Sequence, residues 1–185
     1  MMQRMCAAIF TIGSLAWTSP AMAQENVEAM AEPAVLDPGL PNVLIIGDSI
    51  SIGYTPGVRA GLEGEANVYR IPVNGGPTTR GVEHIDEWLG ERDWDVIHFN
   101  WGLHDIKRMR DGKPDKSGAW QVPLEDYKAN LEHLVARLKE TGAALIWAST
   151  TPVPEGAGMR VAGEARIVNE HAAAIMKAHC VAIND

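Results

Sequence analysis

From Asn42 onward the chain alternates short apolar runs with stretches whose apolar residues recur every three or four positions. NVLIIG (42–47), NVYRIPV (67–73), DVIHFN (95–100), AALIWAS (143–149) and CVAIN (180–184) read as strands, and the segments between them read as amphipathic helices. Such alternation predicts an α/β fold: a three-layer α/β/α sandwich around a mostly parallel five-stranded sheet, of the flavodoxin-like kind. Pro56 suits the first turn of a helix running to about Leu62, and Thr78 or Thr79 suits the cap of one reaching Leu89. Pro123 opens a longer helix that stops at Gly142. There Leu124, Tyr127, Leu131, Leu134, Val135 and Leu138 form one stripe, which signals packing and not chemistry.

In a doubly wound sheet ligands bind beyond the carboxyl ends of the strands. The polar residues in those places are Asp48 and Ser49, Asn74 to Arg80, Asn100 to Asp105, Ser149 to Pro154, and Asp185. Ile106 to Gln121 reads as a loop, long enough to be functional or else a solvated excursion.

Upstream of the strands the pattern changes. Arg4, the apolar run CAAIFTIGSLAW and then TSPAMA, with Ala21 and Ala23 before Gln24, predict a signal peptide over residues 1–23. The protein is therefore expected to be exported, to the periplasm or the medium. No stable membrane anchor is expected after cleavage, since the run falls short of the ~20 residues that span a bilayer. Residues 24–40 read as an acidic, proline-containing linker, and 41–185 as one domain. Cleavage removes Cys6, so Cys180 has no partner for an intramolecular disulfide and reads as a small core residue. A formal charge of −8 and a pI near 5.2 argue against nucleic acid or an anionic lipid surface as partner.

GDSIS (47–51), NGGPTTRG (74–81), NWGLHD (100–105), TTPVP (150–154) and the final IND follow the five strands in order. Together they resemble the GDSL, or SGNH, hydrolase family over Asn42 to Asp185. The resemblance implies the SGNH type of α/β/α sandwich and acyl transfer by a Ser-His-Asp set. Ser49 takes the nucleophile's place, and its amide also serves the oxyanion; the alternative is that Ser49 only caps the helix. Asp48 reads as a turn former. Gly76 matches the second oxyanion donor, with Gly75 the competing assignment, and Asn74 either lines the pocket or fixes its loop.

The third block departs from the family's Gly-x-Asn-Asp. Gly102, Leu103, His104 and Asp105 put a histidine where the asparagine donor stands. An imidazole N–H can still donate, with Asp105 or a carbonyl fixing its tautomer, while Asn100 is the alternative amide and a purely structural His104 the other reading. Asp185 matches the aspartate of the family's Asp-x-x-His, and the sequence stops before the histidine. The domain is therefore expected to be truncated at its carboxyl end. His84, His98, His133, His171 and His179 lie in or beside expected helices and strands.

No metal site is expected, because His98, His104 and Asp105 lack ligand spacing. No cofactor is expected either, since the dinucleotide and Walker glycine patterns are absent. The resemblance thus implies a serine hydrolase that cleaves a small-molecule or carbohydrate ester, such as an acetyl ester, through an acyl-serine, and the signal peptide makes the expected enzyme an exported one. Trp101 and Trp120, near the expected mouth, tilt the reading toward sugars, whereas Trp88, Trp94 and Trp147 read as core. The rival is a non-catalytic ligand- or carbohydrate-binding module on the same fold.

Overall fold

The structure, a computed structural model, describes residues 31–33 and 35–185. The expected signal peptide and the first part of the linker lie outside the described residues. The elements are β1 (Asn42–Ile46), α1 (Ser49–Gly61), β2 (Asn67–Arg70), α2 (Thr78–Leu89), β3 (Val96–Phe99), β4 (Arg108–Arg110), β5 (Lys113–Pro114), β6 (Ala119–Trp120), α3 (Leu124–Lys139), β7 (Ala144–Ala148), α4 (Glu164–Ala178) and β8 (Ala182–Asn184).

The five long-range strands pair in the order β2-β1-β3-β7-β8, every pair parallel. Each crossover carries a helix. Right-handed connections put α1, which leads back to the β2 edge, on one face and α2, α3 and α4 on the other, giving the expected three layers. Because side chains alternate along a strand, residues two apart share a face, and the register lines them up across the strands. Leu44, Ile97 and Leu145 align, as do Ile46, Phe99 and Trp147, and both rows are buried beneath α2, α3 and α4. The α3 stripe read from the sequence supplies the other half of that core: Tyr127, Leu131, Leu134, Val135 and Leu138 are all buried.

Several local expectations change. The helix expected to open at Pro56 opens at Ser49, because Asp48 caps it by accepting the Ile50 amide at 2.9 Å, and Pro56 lies inside it on an exposed position. The proline removes one ladder bond, a loss tolerated where water reaches the freed carbonyl. Thr78 does not cap α2; Pro77 holds the cap position and the Thr78 hydroxyl points to Asp105. Residues 106–121 are not a bare loop but carry a small antiparallel sheet, β5-β4-β6. Cys180 is exposed and not core: with φ 58° it turns the chain out of α4, and the Val181 amide closes back on the Met176 carbonyl at 2.9 Å.

The described end of the linker runs along the β2 edge. Ala31 accepts the Arg70 amide at 2.8 Å, and the Asn67 carboxamide donates to the carbonyls of Asp37 and Leu40. Among the described residues no helix is long and apolar enough to cross a membrane.

Candidate active site at the carboxyl end of the sheet

The chain leaves β1 through Gly47, Asp48 and Ser49 and enters α1 at once. With Asp48 as the cap, the helix-capping reading of Ser49 falls away. Ser49 is exposed at the first helical position, where an amide has no intrahelical acceptor. Neither its hydroxyl nor its amide has a hydrogen-bond partner among the described residues.

Beneath this turn lies a residue that sequence reasoning missed. Arg70, at the end of β2, is 2% exposed. Its Nε donates to the Ser51 hydroxyl, Nη1 to the carbonyls of Ile71 and Val73, and Nη2 to those of Gly47 and Asp48. All the donors of the fork are thus engaged. Burial lowers the Arg70 pKa to about 10, with Tyr54 and Asp48 opposing, so the guanidinium stays charged at neutral pH. The one visible hint was an arginine inside an otherwise apolar strand.

The second block crosses over the same turn. Gly75 donates its amide to the Gly47 carbonyl at 3.0 Å, and a Cβ on Gly75 would stand 2.8 Å from that oxygen. Gly76, with φ +60°, donates to the Asn74 side-chain oxygen at 2.9 Å. Asn74 therefore fixes its own loop. Of the two amides, that of Gly76 rests on a side chain that can rotate away, whereas that of Gly75 is built into the backbone.

In the third block the two polar residues separate. His104 faces the nucleophile turn, its Nε2 3.8 Å from Asp48 Oδ2. Burial pushes its pKa below the usual imidazole range; Asp48 opposes this, and Arg160, Lys107 and Arg80 add to it. The ring is therefore neutral at pH 7, with one N–H to donate and one nitrogen to accept. Asp105 is not the group that orients it. Its Oδ1 accepts the Thr78 amide at 2.9 Å and the Thr78 hydroxyl at 2.6 Å, which locks the start of α2 to the end of β3. Asp105 Oδ2 is buried without a partner among the described residues, and burial raises the pKa to about 6 against the Thr78 hydrogen bonds.

Asn100 is also committed elsewhere, its amide nitrogen donating to the Ala148 carbonyl at 2.7 Å and lying 3.5 Å from Thr150 Oγ1. It ties β3 to β7. Gly102 must be glycine, since its φ is +142° and a Cβ would come within 2.4 Å of Thr150 Oγ1. Trp101 is 1% exposed, packed under Gly81 and Leu134, and so offers no face to a sugar; Trp120 is half-buried.

Asp185 follows β8, which is separated from β1 by β3 and β7, at ordinary strand spacing about 14 Å. It lines a cavity of about 520 Å³ with Trp147, Thr150, Asn169 and Ile183. No hydrogen bond or ion pair among the described residues joins Asp185 to Ser49 or His104. Of the remaining histidines, His84 meets Glu87, His98 meets Tyr54 and Asn184, and His179 meets Glu132. Among the described residues no three His, Cys, Asp or Glu side chains are grouped to hold a metal ion.

No protein-family model and no curated protein matches the chain. Solved structures do. An acetyl xylan esterase superposes with a TM-score of 0.64 at 9% identity, covering 77% of this chain and 75% of its own. A lipase/acylhydrolase from Enterococcus faecalis gives 0.63 at 15% identity, over 79% and 76%. A GDSL-like lipase from Bacteroides thetaiotaomicron gives 0.60 at 17% identity, over 88% and 75%. The chain has the SGNH hydrolase fold. In an SGNH fold the strand-to-helix corner after the first strand lies at the carboxyl end of the sheet, where Ser49, Gly76 and His104 also come together in the chain's own geometry. At these identities the likeness shows the fold.

Proposed function

We propose that this protein is an exported serine hydrolase of the SGNH family that cleaves a short acyl ester of a carbohydrate or other small alcohol. The observation that carries this reading is the state of Ser49: exposed, with hydroxyl and amide both unengaged among the described residues, on a turn whose carbonyls are held from below by Arg70. In this reading Ser49 Oγ attacks the ester carbonyl carbon, and its proton passes through a base to the leaving alcohol. The carbonyl oxygen becomes an oxyanion served by the Ser49 amide, the Gly76 amide once Asn74 turns aside, and a neutral His104 N–H. Water then cleaves the acyl-serine, releasing the acid and restoring the hydroxyl. The family resemblance gives Asp185 the part of the carboxylate that orients the base. Solved neighbours that are esterases and lipases favour this over a binding module, and a carbohydrate ester is supported by the acetyl xylan esterase among them.

The test is covalent. A fluorophosphonate probe should tag Ser49, located by mass spectrometry of the digested protein, and 4-nitrophenyl acetate and acetylated xylotriose should be hydrolysed by the same preparation. A tag on another residue, or hydrolysis that survives Ser49→Ala, would overturn the assignment. Export is checked by sequencing the mature amino terminus from a cell fraction, which should begin at Gln24.

A further inference from the structure

The rim of this site is cationic in an acidic protein. The formal charge is −8, and Arg92, Arg108, Arg110, Arg137 and Arg166 each have a carboxylate partner. Arg80, Lys107 and Arg160 do not. None of the three forms an ion pair among the described residues, and the positive charge of each bears on His104. The Lys107 amide donates to the His104 carbonyl at 3.2 Å, and Arg160 Nε donates to the carbonyl of Leu103 beside it. Arg80 lies on the other side, its Cδ 3.2 Å from where a Gly76 Cβ would be.

Two helices add to the same field. α1 starts at Ser49 and α2 starts at Thr78, and each presents its positive amino terminus at this end of the sheet. The first turn of α2 holds no acid and instead carries Arg80, a placement that opposes the helix dipole and so is not explained by helix stability. The nearby carboxylates are Asp48, which caps α1 and faces His104, and Asp105, which is closed off by Thr78. Asp48 attracts Arg160 and offsets part of this charge, while Arg80 and Lys107 have no carboxylate within ion-pair distance among the described residues.

We propose that the site selects esters bearing a carboxylate close to the scissile bond, which Arg80, Lys107 and Arg160 hold over Ser49. The inference rests on the ester-hydrolase reading of Ser49 and names its substrate class. The carboxylate sits on the acyl side or the alcohol side of the ester, and both positions bring it to the same rim. A neutral ester gains nothing from these side chains, so selection appears as a difference between matched probes. The attraction is between partly exposed groups and therefore weakens with salt.

The experiment compares mono-4-nitrophenyl succinate with 4-nitrophenyl acetate, and 4-acetoxybenzoate with phenyl acetate. The expected result is a kcat/KM preference for the carboxylated member of at least one pair of about tenfold at low salt, which shrinks in 0.5 M salt. Arg80→Gln and Lys107→Gln should each reduce that ratio, and the double variant should bring it near one. Binding of the same four esters to Ser49→Ala protein, followed by NMR chemical shifts, needs no turnover. Tighter binding of the carboxylated esters with loss of that preference in Arg80→Gln supports the proposal even if hydrolysis is absent, which would count against the hydrolase reading alone. Equal binding and equal kcat/KM within both pairs overturns the proposal while leaving the hydrolase reading standing.

Discussion

Arg70 Nη2 donates to the main-chain carbonyl of Asp48 at 3.2 Å, so a buried guanidinium at the end of β2 holds the residue that immediately precedes Ser49. The same fork also holds the Gly47 carbonyl and the Ser51 hydroxyl, and with them both sides of the nucleophile turn. Removing it leaves several buried acceptors unmade at once. Arg70→Met should therefore destabilise the protein by on the order of 3 kcal/mol or more, measured by urea unfolding. Arg70→Lys keeps the charge without the planar fork and should fall between the two. Wild-type stability in Arg70→Met would show that the cradle is unimportant.

Ser49→Ala should remove ester hydrolysis while leaving the fold intact. The loss expected for an activated serine is on the order of 10⁶ in rate. Because the Ser49 hydroxyl holds no partner among the described residues, the unfolding free energy from urea titration should change by no more than about 0.5 kcal/mol. A large stability loss would mean that the hydroxyl is structural after all.

His104 stands where a neutral ring can donate or accept, and two variants separate those roles. If it donates to the oxyanion, His104→Ala should slow the chemical step by roughly 10² to 10³, and His104→Asn, which still donates, should recover much of it. Equal losses in both variants would identify the ring as the base. Burial holds the imidazole below its usual range, so the His104-dependent limb of the pH–rate profile should lie on the acid side of ordinary histidine. An unchanged turnover in both variants would leave His104 with no catalytic part.

Asp105 makes stability depend on pH in a direction opposite to a salt-bridged acid. Its folded pKa is raised from 3.8 to about 6, so its favourable contribution is complete below pH 4 and is lost as pH rises through 6. The difference is worth about 3 kcal/mol. Asp105→Asn should flatten the stability curve between pH 4 and 7 relative to wild type, measured by urea unfolding across that range. Parallel curves for the two proteins would show that Asp105 does not titrate there.

Gly102→Ala should be among the more damaging single-methyl changes in the chain. It combines a backbone angle of +142° with a methyl 2.4 Å from Thr150 Oγ1, and that hydroxyl is itself donated to the Trp101 carbonyl at 2.9 Å. Expected is a loss of roughly 2 kcal/mol or more by thermal or urea unfolding, since overpacking and a disfavoured angle act together. Gly53→Ala, inside α1 with nothing within 4 Å of the added Cβ, is the control and should be neutral or stabilising.

By itself the sequence determined what repeats locally. Five apolar runs and the amphipathic segments between them name the strands, their alternation makes the sheet parallel, and a parallel sheet places the GDSIS, NGGPTTRG and NWGLHD turns at one end. Each step depends on periodicity or turn chemistry within a few residues, and the strands appear where those patterns put them. Tertiary structure decided which partner each polar group found. Arg70 lies in an apolar strand, and only the packing of β2 beside β1 brings it to the Gly47 and Asp48 carbonyls. Asp105 is adjacent to His104 in sequence, yet it turns to Thr78 because the two lie in the turn closed by the Ile106 amide on the Gly102 carbonyl, where successive side chains point in different directions. Trp101 follows β3 as a plausible rim aromatic, but the missing side chain of Gly81 opens the space that buries it. Hydrophobic pattern is a local property of the chain, whereas a hydrogen bond across 20 to 50 residues exists only once the sheet has chosen its neighbours.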